Sequence, residues 1–109
     1  MNIYSCIDHK NVEKILILFN SVLINSDNDD LHFYLLVDKI THFNIPSSIN
    51  KKLTIKELNI SEEWSEILNN FNKHFYVASS WCKSDMNFAR FLIFNHFPEI
   101  DRFIYLDWD

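Results

Sequence analysis

Strand-like and helix-like segments alternate along this chain, and their order restricts the fold more than any other feature of the sequence. Asn2 to Ile7 and Leu31 to Val37 are apolar, strand-like runs, and between them Asn11 to Asn25 repeats apolar residues at helical spacing. A strand, a helix and another strand in this order are typical of a parallel sheet. Because the strands are apolar almost throughout, we expect both faces of that sheet to be covered.

The remaining segments continue the alternation. They are a loop or short broken helix at Thr41 to Asn50, a half-exposed strand at Lys52 to Leu58, a helix from Ser61 to about Phe75, a helix from Ser84 and Asp85 to about Phe97, and a last strand at Arg102 to Asp107. Serine and acidic residues mark the helix starts, and Pro98 ends the second of these helices. The pattern predicts an α/β fold with a mostly parallel sheet and flanking helices.

Composition limits both the domain count and the class of partner. A chain of 109 residues with 48% hydrophobic content supports one domain, residues 1–109. The net charge of -5 and the scattered basic residues give no positive patch, so we expect no nucleic-acid binding. Glycine is absent, which excludes glycine-rich phosphate loops. A bound phosphate would therefore need a metal ion and cationic side chains.

Cysteine usage and hydropathy indicate a cytoplasmic location, either free or peripheral to a membrane. Cys6 and Cys82 belong to no metal-ligand cluster, so we expect a reducing compartment, with Cys6 buried on the first strand. The sequence begins without a secretory signal, and its most apolar stretch, Val12 to Ile24, is interrupted by polar residues. We therefore expect no membrane-spanning segment.

The last predicted strand runs into two carboxylates, Asp107 and Asp109. Side chains alternate along a strand, so both project from one face, and paired carboxylates suit Mg²⁺ or Mn²⁺, the usual partners of a diphosphate. Asp27 and Asp29 have the same spacing but lie in a polar turn, so context distinguishes the two copies. Local features alone leave two equal alternatives at Asp107 and Asp109, a metal site and a pair of solvated carboxylates.

Two further side chains each have alternative interpretations. Arg90 falls on an apolar helix face, where a guanidinium needs an anion. That anion is a diphosphate, or else Asp8 or Asp85, unless Arg90 extends to the surface. Asp8 either contacts a nucleobase or caps the following helix, and His9 and Lys10 are either solvated or assist a phosphate.

Taken together, these features resemble the N-terminal half of the family 8 glycosyltransferases, which are retaining sugar-nucleotide enzymes. The resemblance lies in the strands Ile3 to Asp8 and Leu31 to Asp38, and above all in the block from Asn87 to Asp109, which ends in Tyr-Leu-Asp-Trp-Asp. It implies the nucleotide-binding half of a glycosyltransferase A fold. It also implies Mn²⁺ or Mg²⁺ bound by Asp107 and Asp109.

The same resemblance implies a site for a nucleotide sugar, with UDP-hexose as the expected donor. Its residues would be Cys6, Ile7, Asp8, Arg90, Asp107 and Trp108. The backbone of Cys6 and Ile7 with Asp8 would meet the uracil, and Arg90 would meet the diphosphate-sugar. Asn11 stands where many members have a tyrosine that stacks on the base. The implied reaction is retaining, metal-assisted transfer of the sugar to a glycan or lipid-linked saccharide.

Members of the family supply a third metal ligand, a histidine, and acceptor-site residues well after the Asp-x-Asp motif. We therefore expect this chain to be a fragment, a partial domain with an incomplete active site and no catalytic residue that the sequence can assign. The alternative is a non-catalytic nucleotide-binding or protein-interaction module that self-associates through an open sheet edge.

Overall fold

The computed structural model of the chain describes residues 1–27, 30–74 and 89–107, apart from the side chains of 68 and 71–74. The described strands are β1 (Asn2–Ile7), β2 (His32–Val37), β3 (Leu53–Glu57) and β4 (Ile104–Tyr105). The described helices are α1 (Val12–Ile24), α2 (Ser47–Asn50), α3 (Glu62–His74) and α4 (Ile93–His96), with short 3-10 turns at His9–Asn11 and Ala89–Leu92. Within these ranges no helix combines the length and hydropathy of a membrane span.

The four described strands form one parallel sheet in the order β3-β2-β1-β4. β1 pairs with β2 from Asn2 opposite His32 to Ile7 opposite Val37, and it pairs with β4 on its other side. The chain moves outward from β1 to β3 and later returns to the opposite side of β1. The connections therefore diverge between β1 and β4, and in open parallel sheets ligands bind at the carboxyl ends of the strands near such a point.

One face of the sheet is covered by α1 and α2. The buried residues of α1 recur at the helical spacing that the sequence shows, namely Val12, Ile15, Leu16 and Phe19. The Phe19 ring stacks on Phe33 of β2 with 4.6 Å between ring centroids. The core on this face is continuous from β1 across β2 to Ile49 of α2.

The opposite face is covered by the segment from Ala89 to Ile100. Tyr4 and Cys6 of β1 project to this side and pack against Ala89, Ile93 and Phe97. Strand residues therefore alternate between two cores, with Ile3 and Ile7 in the first and Tyr4 and Cys6 in the second. The predicted parallel α/β sheet with two covered faces is confirmed.

Most element boundaries agree with the sequence-based expectations. β1 has the predicted bounds, α1 is one residue shorter at each end, and Ser61 accepts the Trp64 backbone N–H at the start of α3. β3 is half-exposed as predicted, and the uncertain segment from Thr41 to Asn50 contains the short helix α2.

Two predictions near the end of the chain were wrong in extent. The helix expected to run to about Phe97 is a 3-10 turn followed by the four-residue α4 in its described part, and its expected start at Ser84 and Asp85 lies outside the described residues. The strand expected from Arg102 to Asp107 pairs only over Ile104–Tyr105. On either side of this pair, backbone carbonyls accept hydrogen bonds from side chains of β1 and not from its backbone. Asn2 Nδ2 donates to the Arg102 carbonyl, and Ser5 Oγ donates to the Leu106 carbonyl.

Candidate functional site

Carboxylates follow the ends of three neighbouring strands. Asp8 follows β1, Asp38 follows β2, and Asp107 comes two residues after β4. Because the strands are parallel, all three lie at the end of the sheet that the carboxyl ends of the strands form, and ligands bind at this end in such folds. Asp38 and Asp107 are exposed and Asp8 is half-buried. The candidate site is the part of this end of the sheet that lies at the carboxyl ends of β1 and β4.

Asp8 caps the 3-10 turn that follows β1. Its Oδ1 accepts the Lys10 backbone N–H at 3.0 Å, and Asn11 Nδ2 donates to Oδ1 at 3.0 Å and to Oδ2 at 2.9 Å. The capping role, one of the two alternatives for Asp8, is therefore present. A carboxylate has about four acceptor sites, so these three hydrogen bonds from two donor groups leave one site on Oδ2 for another N–H.

His9 joins the ends of β1 and β2. Its backbone N–H donates to Asp38 Oδ1 at 2.7 Å, and its Nδ1 lies 3.0 and 3.1 Å from the two carboxylate oxygens. Burial alone would raise the pKa of Asp38, but the hydrogen bonds and charge of His9 outweigh it and lower that pKa. Sequence reasoning missed this pair, and its only signal was a polar residue at the end of each strand.

Hydrogen bonds from β1 fix the segment that leads to Asp107. Ser5, which is fully buried, donates from Oγ to the Leu106 carbonyl at 2.7 Å, and the Leu106 backbone N–H donates to the Tyr4 carbonyl at 2.9 Å. Asp107 follows directly. The central strand therefore determines where this carboxylate leaves the sheet.

Arg90 is half-buried in the turn Ala89–Leu92 and lies against Tyr105, with 5.1 Å between its Cζ and the ring centroid. Its Nε is fully buried and has no hydrogen-bond partner among the described residues. An ion pair with Asp8, one of the predicted alternatives, is not present, and Asp85 lies outside the described residues. Arg90 therefore carries a buried donor that the described part of the chain does not satisfy.

Cys6 and Tyr105 lie within the electrostatic influence of both Arg90 and Asp107. The Cys6 Sγ and the Tyr105 hydroxyl are 3.5 Å apart. Burial raises the pKa of both groups, the positive charge of Arg90 opposes that rise, and the negative charge of Asp107 adds to it. Arg90 and Asp107 thus shift the pKa values of the same two groups in opposite directions.

The structure therefore gathers Cys6, Arg90 and Asp107 at the ends of β1 and β4, with Asp8 at the end of β1. Cys6 is buried as predicted, and the side chain of Ile7 lies in the core against α1, which leaves its backbone for ligand contact. Trp108 and Asp109 lie outside the described residues, as does Cys82. Over residues 1–27, 30–74 and 89–107, no three His, Cys, Asp or Glu side chains form a metal-binding group.

Comparison with known proteins gives two matches. Residues 2–109 match the model described as glycosyl transferase family 8. The fold is similar to a crystal structure of an active-site mutant of LgtC, with a TM-score of 0.71 and 17% sequence identity. That similarity covers 100% of this chain and 38% of the LgtC chain. No curated protein sequence matches. At this identity the LgtC structure shows the fold alone, and it confirms the predicted fold class.

Proposed function

Because this chain belongs to glycosyl transferase family 8, we propose that it provides the nucleotide-sugar-binding part of a retaining, metal-dependent hexosyltransferase. The donor is a nucleoside-diphosphate sugar, which we take to be UDP-hexose, held at the carboxyl ends of β1 and β4. The acceptor is a glycan or a lipid-linked saccharide. Since the chain spans 38% of the LgtC chain, these statements concern the activity to which the chain contributes.

The buried Nε of Arg90, which has no hydrogen-bond partner among the described residues, is the observation that carries the proposal. A buried donor without a partner costs about 1–3 kcal/mol, so such groups are rare in folded proteins unless a ligand completes them. Within residues 1–27, 30–74 and 89–107 the Nε of Arg90 is such a donor, and Arg90 lies against Tyr105 of β4, next to the point where the strand order diverges. A diphosphate has several anionic oxygens, and the planar guanidinium of an arginine can donate two parallel N–H bonds to such oxygens.

Asp107 is suited to a hard divalent cation beside that diphosphate. Its carboxylate is exposed two residues after β4, and in the sequence Asp109 follows it with one residue between them. We propose that Asp107 and Asp109 hold Mn²⁺ or Mg²⁺ there. When bound, the cation offsets the charge that develops on the departing nucleoside diphosphate.

We propose that the residues at the carboxyl end of β1 bind the base of the nucleotide. Asn11 and Lys10 hold the Asp8 carboxylate in place and leave one acceptor site on Oδ2. A uracil has one imide N–H, which this site can accept. The backbone of Cys6 and Ile7 would lie beside it, because their side chains are committed to the two cores.

We place the reaction in the cytoplasm. The support is the thiol of Cys6, which is buried in the second core close to the proposed site. Such a thiol is compatible with a reducing compartment.

Calorimetric titration with UDP, with and without Mn²⁺, tests the proposal. We expect metal-dependent UDP binding by the wild type and a loss of at least about tenfold in Asp107→Asn, because mutation of a group that only hydrogen-bonds to a metal ligand already costs about tenfold to a hundredfold. Asp27→Asn is the matched control, because it removes a carboxylate from the second Asp-x-Asp sequence, and it should bind UDP as the wild type does. Absent metal-dependent binding, or equal binding by Asp107→Asn, would overturn the proposal.

A second candidate is a non-catalytic interaction module that pairs through the edge of its sheet. β4 is an edge strand in the described sheet, and Phe94 and Ile104 near it are 49% and 48% exposed. Edge strands of this kind recruit further strands. Light scattering at high protein concentration tests this candidate, since it predicts dimers, and a persistent monomer would contradict it.

A further inference from the structure

We propose that Tyr4 and Tyr105 are positioning residues that together aim the Arg90 guanidinium at the donor diphosphate. The inference rests on the proposed function, because it concerns the same arginine. One tyrosine holds the backbone of the turn that carries Arg90, and the other holds its side chain. Both act through Arg90 and neither needs to touch the nucleotide.

Tyr4 fixes the backbone half of this arrangement. It is fully buried on the central strand, and its hydroxyl donates to the Ala89 carbonyl at 2.8 Å. Ala89 directly precedes Arg90, so this bond ties the turn to β1. The Tyr4 ring is itself held edge-on by Phe97 and Phe103, with ring centroids 6.2 and 5.6 Å away. Burial raises the pKa of Tyr4, so its hydroxyl keeps the proton that it donates.

Tyr105 fixes the side-chain half. The Arg90 Cζ lies 5.1 Å from the Tyr105 ring centroid, within the distance of about 6 Å at which a cation is attracted to an aromatic face. The ring is held at its hydroxyl by Cys6 at 3.5 Å and along its side by Tyr4, with 5.7 Å between the centroids. A guanidinium over a ring keeps its in-plane N–H groups available for an anion.

The Nε of Arg90, which is buried and has no partner in the part of the chain that the structure describes, distinguishes this role from simple packing. An arginine that serves the core is normally paired with a carboxylate or carbonyl group. Here the ring and the turn restrain the guanidinium, while its buried Nε lacks an acceptor among the described residues. A donor that is restrained before its ligand arrives loses less conformational freedom on binding.

A double-mutant cycle measures the inferred coupling, with UDP and Mn²⁺ as the probe and calorimetry as the assay. Tyr105→Leu removes the ring and should weaken UDP binding about fivefold to tenfold, whereas Tyr105→Phe keeps the ring and should stay within about twofold of the wild type. In an Arg90→Met background, Tyr105→Leu should have no further effect, because the group that it positions is gone.

Tyr4→Phe provides an independent second cycle, because it removes a single hydroxyl and keeps the buried ring. It should weaken UDP binding about threefold when Arg90 is present and not at all in Arg90→Met. Thermal denaturation confirms that each variant is folded. If Tyr105→Leu does not fold, the Tyr4→Phe cycle decides the question.

The outcomes separate this inference from the proposed function. If the wild type binds UDP and Arg90→Met binds it equally well, Arg90 has no role in donor binding and both ideas fail. If Arg90→Met weakens binding but the tyrosine variants do not, or if their losses simply add to that of Arg90→Met, positioning is overturned and the proposed function stands. No UDP binding by the wild type overturns both.

Discussion

Replacement of Arg90 by methionine should increase stability while it weakens nucleotide binding. The buried Nε, for which the described part of the chain supplies no acceptor, costs about 1–3 kcal/mol in the unliganded protein. The attraction between the guanidinium and the Tyr105 ring offsets about 0.5–2 kcal/mol of that cost. Methionine fills a similar volume without a polar atom that needs a partner. We therefore expect the free energy of unfolding to rise by about 1 kcal/mol in Arg90→Met.

The effect on binding should have the opposite sign. A hydrogen bond to a charged group contributes about 1.5–3 kcal/mol, so the loss of the arginine should weaken UDP binding by about tenfold to a hundredfold. Urea denaturation measures the first effect and calorimetric titration with UDP and Mn²⁺ the second. Arg102→Met is the matched control, because Arg102 is the other arginine of the chain and its side chain is exposed.

A single result would refute this reasoning. If Arg90→Met lowered the free energy of unfolding by more than about 1 kcal/mol and left UDP binding unchanged, the guanidinium would be a structural group. Arg102→Met should change neither quantity. An equal loss of binding in both variants would indicate a general effect of positive charge and no specific role for Arg90.

Two further predictions concern the core and the strand ends. Phe19→Ala removes a fully buried ring that stacks on Phe33, so it should lower the free energy of unfolding by about 3–5 kcal/mol. Ile17→Ala, in the same helix but at a side chain that is 70% exposed, should change that free energy by less than about 0.5 kcal/mol. Urea denaturation measures both variants. The lowered pKa of Asp38 implies that its bond with His9 stabilises the protein above about pH 4 and that this contribution disappears as the pH falls through the pKa of the folded protein. The difference in melting temperature between wild type and Asp38→Asn should accordingly be larger at about pH 6 than at about pH 3, and a difference independent of pH would contradict this assignment.

The elements of the first half of the chain could be predicted because periodicity fixes them locally. The apolar run Asn2–Ile7 and the spacing of Val12, Ile15, Leu16 and Phe19 in α1 each identify both an element and its buried face. The order of these elements then implies parallel pairing, because a helix between two strands returns the chain to the same end of the sheet.

The end of the chain was harder to predict, because contacts between distant residues determine it. The hydroxyl of Tyr4 reaches the Ala89 carbonyl 85 residues away, at the start of the 3-10 turn that replaces the expected continuous helix. Asn2 and Ser5 shorten β4 through side-chain bonds that no pattern of hydrophobicity reveals. Periodicity identifies the face on which a residue lies, but it does not identify the backbone group that its side chain meets.

The candidate site was predicted in part for the same reason. Asp8 and Asp107 could be placed at the same end of the sheet, because the carboxyl ends of parallel strands lie together. The position of Arg90 over Tyr105 and the bond between His9 and Asp38 depend on the geometry of adjacent loops. Several anions were possible partners of Arg90 from the residue pattern alone, and the structure shows that Asp8 is not one of them.

Paramagnetic broadening by Mn²⁺ tests most directly whether the ends of β1 and β4 hold a metal and a diphosphate. The amide NMR spectrum would be recorded with UDP and a small fraction of Mn²⁺, since the ion broadens the signals of nearby amides. The account predicts that the amides of His9 and Asp107 broaden first and that Asp107→Asn abolishes the effect. Broadening centred on Asp27, in the second Asp-x-Asp sequence, or broadening that persists unchanged in Asp107→Asn, would contradict it.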